Sequence, residues 1–186
     1  MNKDTIAKIK DNVEKVESDY ATDLLSVLKD FNPLAKTWGD TITDETQRKA
    51  YLDFIRSGKS KRKQAQTYVR RAATFLGESI DSKEEEKMSD FILDKFKSAL
   101  EAYDEIVTRI VLSGAKVEPN VRDSKANFVW DTQVCFMLND GTMGGKQIVV
   151  ISRDKFLKQT AKKTGLSDNI MNVEEYLSKF GMQVPK

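Results

Sequence analysis

Apolar side chains recur every third or fourth position through most of this chain, and every second position in one stretch only. Ile6, Ile9, Val13, Val16, Tyr20, Leu24, Val27 and Phe31 keep the longer spacing, which predicts a first helix over residues 2–30. Its opening has the outline of a coiled-coil seam, but Asp23 interrupts the heptad, so the face reads as packed on the protein's own core. Asn32-Pro33 ends it, because a residue before proline resists the α conformation. A connector with Trp38-Gly39 follows, and Thr41 or Thr43 supplies the cap of a helix that runs to about Arg56. Asp44 and Glu45 sit in its first turn, and Tyr51, Phe54 and Ile55 face inward.

Ser57-Gly58 separates that helix from the next, over residues 60–76. There Ala65, Tyr68, Val69, Ala72, Phe75 and Leu76 form one apolar stripe, and Gly77 supplies the C-terminal stop. Asp81 or Ser82 opens a long helix in which Met88, Ile92, Phe96, Leu100, Tyr103, Val107 and Ile110 keep period to about Leu112.

Past residues 117–125, which contain Pro119, the pattern changes. Phe128, Trp130, Thr132, Val134, Phe136 and Leu138 alternate, which predicts a strand over 126–138 covered on both faces. Asn139-Asp140-Gly141 reads as a hairpin turn and Lys146 to Ile151 as the returning strand. Ser152 caps a helix to about Lys163, with Phe156 and Leu157 inward. Asn172 caps a last short one carrying Val173, Tyr176, Leu177 and Phe180. The expected fold is therefore α+β and predominantly helical: about four N-terminal helices, then a β-hairpin and two short helices. The expected domains are a helical region at 1–116 and a small α+β region at 122–186.

At 186 residues the chain can bury a real core. Its formal net charge is only +2, so attraction to a polyanion must come from uneven placement. The charge is uneven in one place. No acid stands between Asp53 and Glu78, while Arg56, Lys59, Lys61, Arg62, Lys63, Arg70 and Arg71 do. Lys63, Gln66, Thr67 and Arg70 fall opposite the apolar stripe. A basic helix face with hydrogen-bonding groups between its charges is what tracking a phosphate backbone requires. Lys146 and Arg153 are candidate auxiliary contacts. The competing expectation is a solvated face paired with Glu84, Glu85 and Glu86.

Other chemistry is narrower. With no histidine and the single Cys135, histidine-based triads and the Cys₄ or histidine-containing zinc sites are excluded. The run from Asp140 to Lys146, Asp-Gly-Thr-Met-Gly-Gly-Lys, lacks the first glycine of a phosphate-binding loop, and Gln147 stands where Ser or Thr would hold Mg²⁺. It reads as a hairpin tip. Asp131, Asp140, Asp154 and Lys155 raise a metal-dependent nuclease, but adjacent helical positions such as 154 and 155 do not share a face. Of the aromatic residues, Trp38 is the candidate for stacking on a base, while Tyr68, Tyr103 and Trp130 read as core. Cys135 reads as a buried small hydrophobe.

No run of 18 apolar residues predicts a membrane span, and MNKDTIAKIKDN lacks a signal-peptide core. A cytoplasmic location is expected. The leading expectation is non-catalytic nucleic-acid binding, DNA or RNA, without a cofactor. The alternative is a protein–protein or assembly module, such as a small viral structural or accessory protein or a host-factor inhibitor, with self-association through the first helix.

Overall fold

A computed structural model describes residues 8, 11–15, 18, 19, 22, 29, 42, 44–113 and 128–182. Residues 11–15 are helical, but most of the expected first helix, Trp38 and the 117–125 boundary lie outside the described residues. The described elements are α1 (Glu45–Arg56), α2 (Lys59–Leu76), α3 (Ser82–Lys95), α4 (Lys97–Leu112) and α5 (Phe128–Asp140). Then come β1 (Thr142–Met143), β2 (Lys146–Gln147), β3 (Val150–Ile151), α6 (Lys155–Lys163), a 3₁₀ turn at Ser167–Asn169, β4 (Ile170–Met171) and α7 (Val173–Lys179). The α+β, predominantly helical expectation holds.

Contacts group the chain into two units, Met1–Phe54 with Val107–Trp130, and Ile55–Ile106 with Asp131–Lys186. In the first, Tyr51, Val107, Val111 and Phe128 are buried, and the Tyr51 hydroxyl lies 3.4 Å from that of Thr108. Asp44, rather than a threonine, caps α1 by accepting from the Gln47 N–H.

In the second unit α2 packs antiparallel-fashion in sequence order against α3 as a helical hairpin. Gly77, in the left-handed region at φ 72°, closes α2. Its N–H donates to the Thr74 carbonyl and that of Glu78 to Ala73, which satisfies two free C-terminal acceptors. Asp81 then caps α3 by accepting from the N–H groups of Lys83 and Glu84. The core of this unit holds Ala65 and Val69 of α2, Ala99, Leu100, Ala102, Tyr103 and Ile106 of α4, and Cys135 and Leu138 of α5. Leu157, Ala161, Leu166 and Ile170 complete it from the C-terminal segment.

Three expectations are corrected. First, the described part of the expected 126–138 strand is helical: Phe128 to Asp140 is a helix, and its buried residues Phe128, Thr132, Cys135 and Leu138 are three or four apart. A segment apolar on every side alternates by accident, and its length of 13 residues without Gly or Pro suits a helix better. Second, the hairpin is only β1 and β2. Its turn is at Gly144-Gly145, both at positive φ (58° and 74°), as a two-residue type I′ turn demands. Gly141 instead terminates α5, and β3 pairs in parallel with β4.

Third, the long helix is broken at Phe96 (φ −114°, ψ 30°). In an unbroken helix the Ala99 N–H would donate to the Lys95 carbonyl. Here the Asn139 amide stands between them. Its Oδ1 accepts from the Ala99 N–H at 3.1 Å and its Nδ2 donates to the Lys95 carbonyl at 2.8 Å. A side chain inserted into the ladder is a sufficient cause of a kink. The bend places Phe96 on Phe136, with ring centroids 5.3 Å apart, and Tyr68 meets the same ring edge-on at 5.1 Å.

The apolar stripe of α2 is also only half used. Ala65 and Val69 are buried, but Phe75 and Leu76 are 89% and 69% exposed, beside exposed Met88 and Phe91 of α3. The far end of the hairpin presents apolar surface.

Candidate nucleic-acid interface

The N-terminal turns of α2 gather Lys59, Lys61, Arg62 and Lys63 within five residues. Gly58 precedes them at φ 75°, so no side chain caps the helix, and no acid stands in its first turn. Ser60 fixes this end: its hydroxyl donates to Asp104 Oδ1 on α4 at 2.6 Å. Asp104 is buried. Burial raises its pKa to about 6, while the Ser60 hydrogen bond and the Lys61 charge pull the other way.

The seven nucleic-acid-contact candidates between residues 59 and 70 fall into different settings. Lys59 is exposed. Lys61 lies 3.6 Å from Glu101, and Arg62 donates to Asp90 at 2.6 Å in a pair about half exposed on both sides. Lys63, Gln66 and Thr67 are half-buried, and the Thr67 hydroxyl donates back to the Lys63 carbonyl. Arg70 makes a two-pronged pair with Glu85, at 2.9 and 2.8 Å. That contact holds the Glu85 carboxyl below its usual range and raises the guanidinium. Because the Glu85 side chain is only 15% exposed, Arg70 serves α2–α3 packing first. Arg71 is half-buried on the neighbouring face.

Lys146 and Arg153 are exposed, Lys146 beside the hairpin turn and Arg153 ahead of α6. Arg153 belongs to a second basic surface that the charge run at 56–71 overshadows. Helix α6 reads KFLKQTAKK and contains no acid. Leu157, Thr160 and Ala161 are buried, which turns Lys155, Lys158 and Lys162 outward at positions i, i+3 and i+7. With Arg153 and Lys179 they line a cleft of about 940 Å³ between α6 and α7. The lysine spacing within 155–163 was the sequence signal for this surface.

The nuclease groups do not converge. Asp131 is raised to about 6 by burial and by the Asp154 charge, but Asp140 pairs with Lys95 and Asp154 caps α6. Among the described residues no three metal-ligating side chains come together. Cys135 is buried, and burial pushes its thiol up to about 12, so it is no nucleophile. Tyr103 is core, whereas Trp130 is partly exposed. No helix among the described residues is long and apolar enough to cross a membrane.

No family model matches the chain, and no significant similarity to a curated protein or a solved structure was found.

Proposed function

We propose that the protein is a non-catalytic nucleic-acid-binding protein that holds the phosphate backbone of DNA or RNA at the N-terminal turns of α2. One observation carries the reading. Four cations stand at the positive end of a helix dipole that has neither a side-chain cap nor a first-turn acid. Like charges gathered there repel one another and the dipole, and a bound phosphate relieves both. The pairs of Lys61 with Glu101 and Arg62 with Asp90 compete with that use. Exposed pairs of this kind contribute only ~0–1 kcal/mol, so a polyanion can exchange with them. Arg70 is left out of the contact set, because its partner is part of the hairpin's packing. No base-reading pattern is present, so contact with the backbone and little sequence preference is the default. A cytoplasmic location belongs to the same proposal.

A gel shift with single- and double-stranded DNA and RNA tests it. Binding should weaken steeply with salt and disappear in the Lys59→Glu/Arg62→Glu/Lys63→Glu protein. Binding that survives those three changes removes α2 as the interface.

A second reading, a protein–protein module, is favoured by the hairpin's far end. Val69, Ala72, Leu76, Ile80, Met88 and Phe91 line a groove of about 650 Å³ there. Light scattering over a concentration series tests self-association. A monomer that stays monomeric in both wild type and Leu76→Glu excludes it.

A further inference from the structure

We infer that the cleft between α6 and α7 is a second phosphate site, one that takes successive phosphates of a single nucleic-acid strand. The inference rests on the nucleic-acid reading above but uses a different surface.

Five cations, Arg153, Lys155, Lys158, Lys162 and Lys179, face the cleft, against two carboxylates, Glu174 and Glu175. One carboxylate is already committed. Glu175 Oε2 accepts from Lys158 Nζ at 2.6 Å and from the Asn172 N–H at 2.7 Å, as half of the capping box that starts α7. These contacts depress the Glu175 pKa, the Lys158 hydrogen bond most, so it stays ionised and occupied. Among the described residues Arg153, Lys155, Lys162 and Lys179 make no ion pair, so the excess of positive charge is not cancelled locally.

Geometry adds direction. Lys155, Lys158 and Lys162 climb α6 by ~4.5 Å and then ~6 Å, a row of about 10 Å in all. A stacked strand carries one charge per ~3.4 Å of axis and a more extended one carries fewer, so the row is long enough for at least two phosphates, one beside each of the unpaired Lys155 and Lys162. Gln159 brings an amide donor between the charges, and Ile170 and Met171 give the cleft an apolar floor. The cleft is open on one side and bounded by two helices, which leaves a single strand room to lie along it.

The packing leaves these cations expendable to the fold. The buried face of α6 is Leu157, Thr160 and Ala161, and the cap comes from Asp154. Charge reversal at 155 and 162 therefore leaves the helix in place.

The test is fluorescence anisotropy of a labelled twelve-nucleotide oligothymidylate over a salt series. It compares wild type, Lys155→Glu/Lys162→Glu, Lys155→Arg/Lys162→Arg and Lys59→Glu/Arg62→Glu/Lys63→Glu, with circular dichroism confirming the fold of each. The inference expects a loss of at least tenfold in the 155/162 Glu protein, with a salt slope shallower by about 1.4, that is ~0.7 per lost phosphate contact. The Arg protein should retain binding. Wild-type affinity in the 155/162 Glu protein, with loss in the α2 protein, overturns the cleft and leaves the nucleic-acid reading standing. No oligonucleotide binding by wild type overturns both. Calorimetry with inorganic tripolyphosphate separates the sources: heat lost in the 155/162 Glu protein, without any oligonucleotide binding, makes the cleft a site for free polyphosphate and overturns the strand.

Discussion

Asp104 anchors the basic end of α2, and replacing it should make the protein more stable at neutral pH. Its carboxyl is buried and raised from 3.8 to about 6. A group whose folded pKa exceeds its unfolded value stabilises most when protonated. That contribution is fully present below about pH 4, fades as pH rises through 6, and is gone above it. A rise from 3.8 to about 6 corresponds to roughly 3 kcal/mol. Asp104→Asn cannot ionise and still accepts from the Ser60 hydroxyl. Allowing roughly 1 kcal/mol for a desolvated amide N–H, the variant should gain about 2 kcal/mol over wild type at pH 8. At pH 4, where Asp104 is protonated, the gain should turn into a loss of up to about 1 kcal/mol, the amide term alone. Urea denaturation of both proteins from pH 4 to 8 measures the difference, which cancels the other titrating groups, Asp131 among them. An Asn variant that is less stable at pH 8, or a difference that does not change with pH, refutes the buried, raised carboxylate.

Three further outcomes follow from the packing. Asn139→Ala removes both bonds that bridge the α3–α4 break and should cost about 2 kcal/mol in urea denaturation, with faster hydrogen exchange at Ala99; a cost under about 0.5 kcal/mol contradicts the insertion. Phe75→Ser should shift stability by no more than ~0.5 kcal/mol in the same assay, since the ring is almost wholly exposed; a larger loss means that the tip is packed. Native protein should resist a thiol reagent at pH 8 and react only after denaturation, because Cys135 is buried with a raised pKa; prompt labelling of the folded chain contradicts its placement.

The helices whose boundaries are set locally were legible in the residues. Ser57-Gly58, Gly77, Asp81, Gly165 and Asn172 are caps and stops that act within a few positions, and each is where an element begins or ends. The break at Phe96 was not legible, because its cause is Asn139, more than forty positions away in the chain. The α5 segment misled for another reason. With apolar residues on every side, spacing no longer reports which face is inside, so a two-residue and a four-residue period fit equally well. The basic face of α2 was legible as a run of charge, but the pairing of Lys61, Arg62 and Arg70 with Glu101, Asp90 and Glu85 depends on how α3 and α4 pack. The quieter lysine row of α6 stood in the spacing of Lys155, Lys158 and Lys162, but the cleft beside it depends on how α7 packs.

The salt dependence of wild-type binding to a single-stranded oligonucleotide bears on the central claim most directly. Four phosphate contacts at α2 alone give a slope of about −3 for log K against log salt, and engagement of the cleft makes it steeper. A flat slope, or no binding at low salt, contradicts the account.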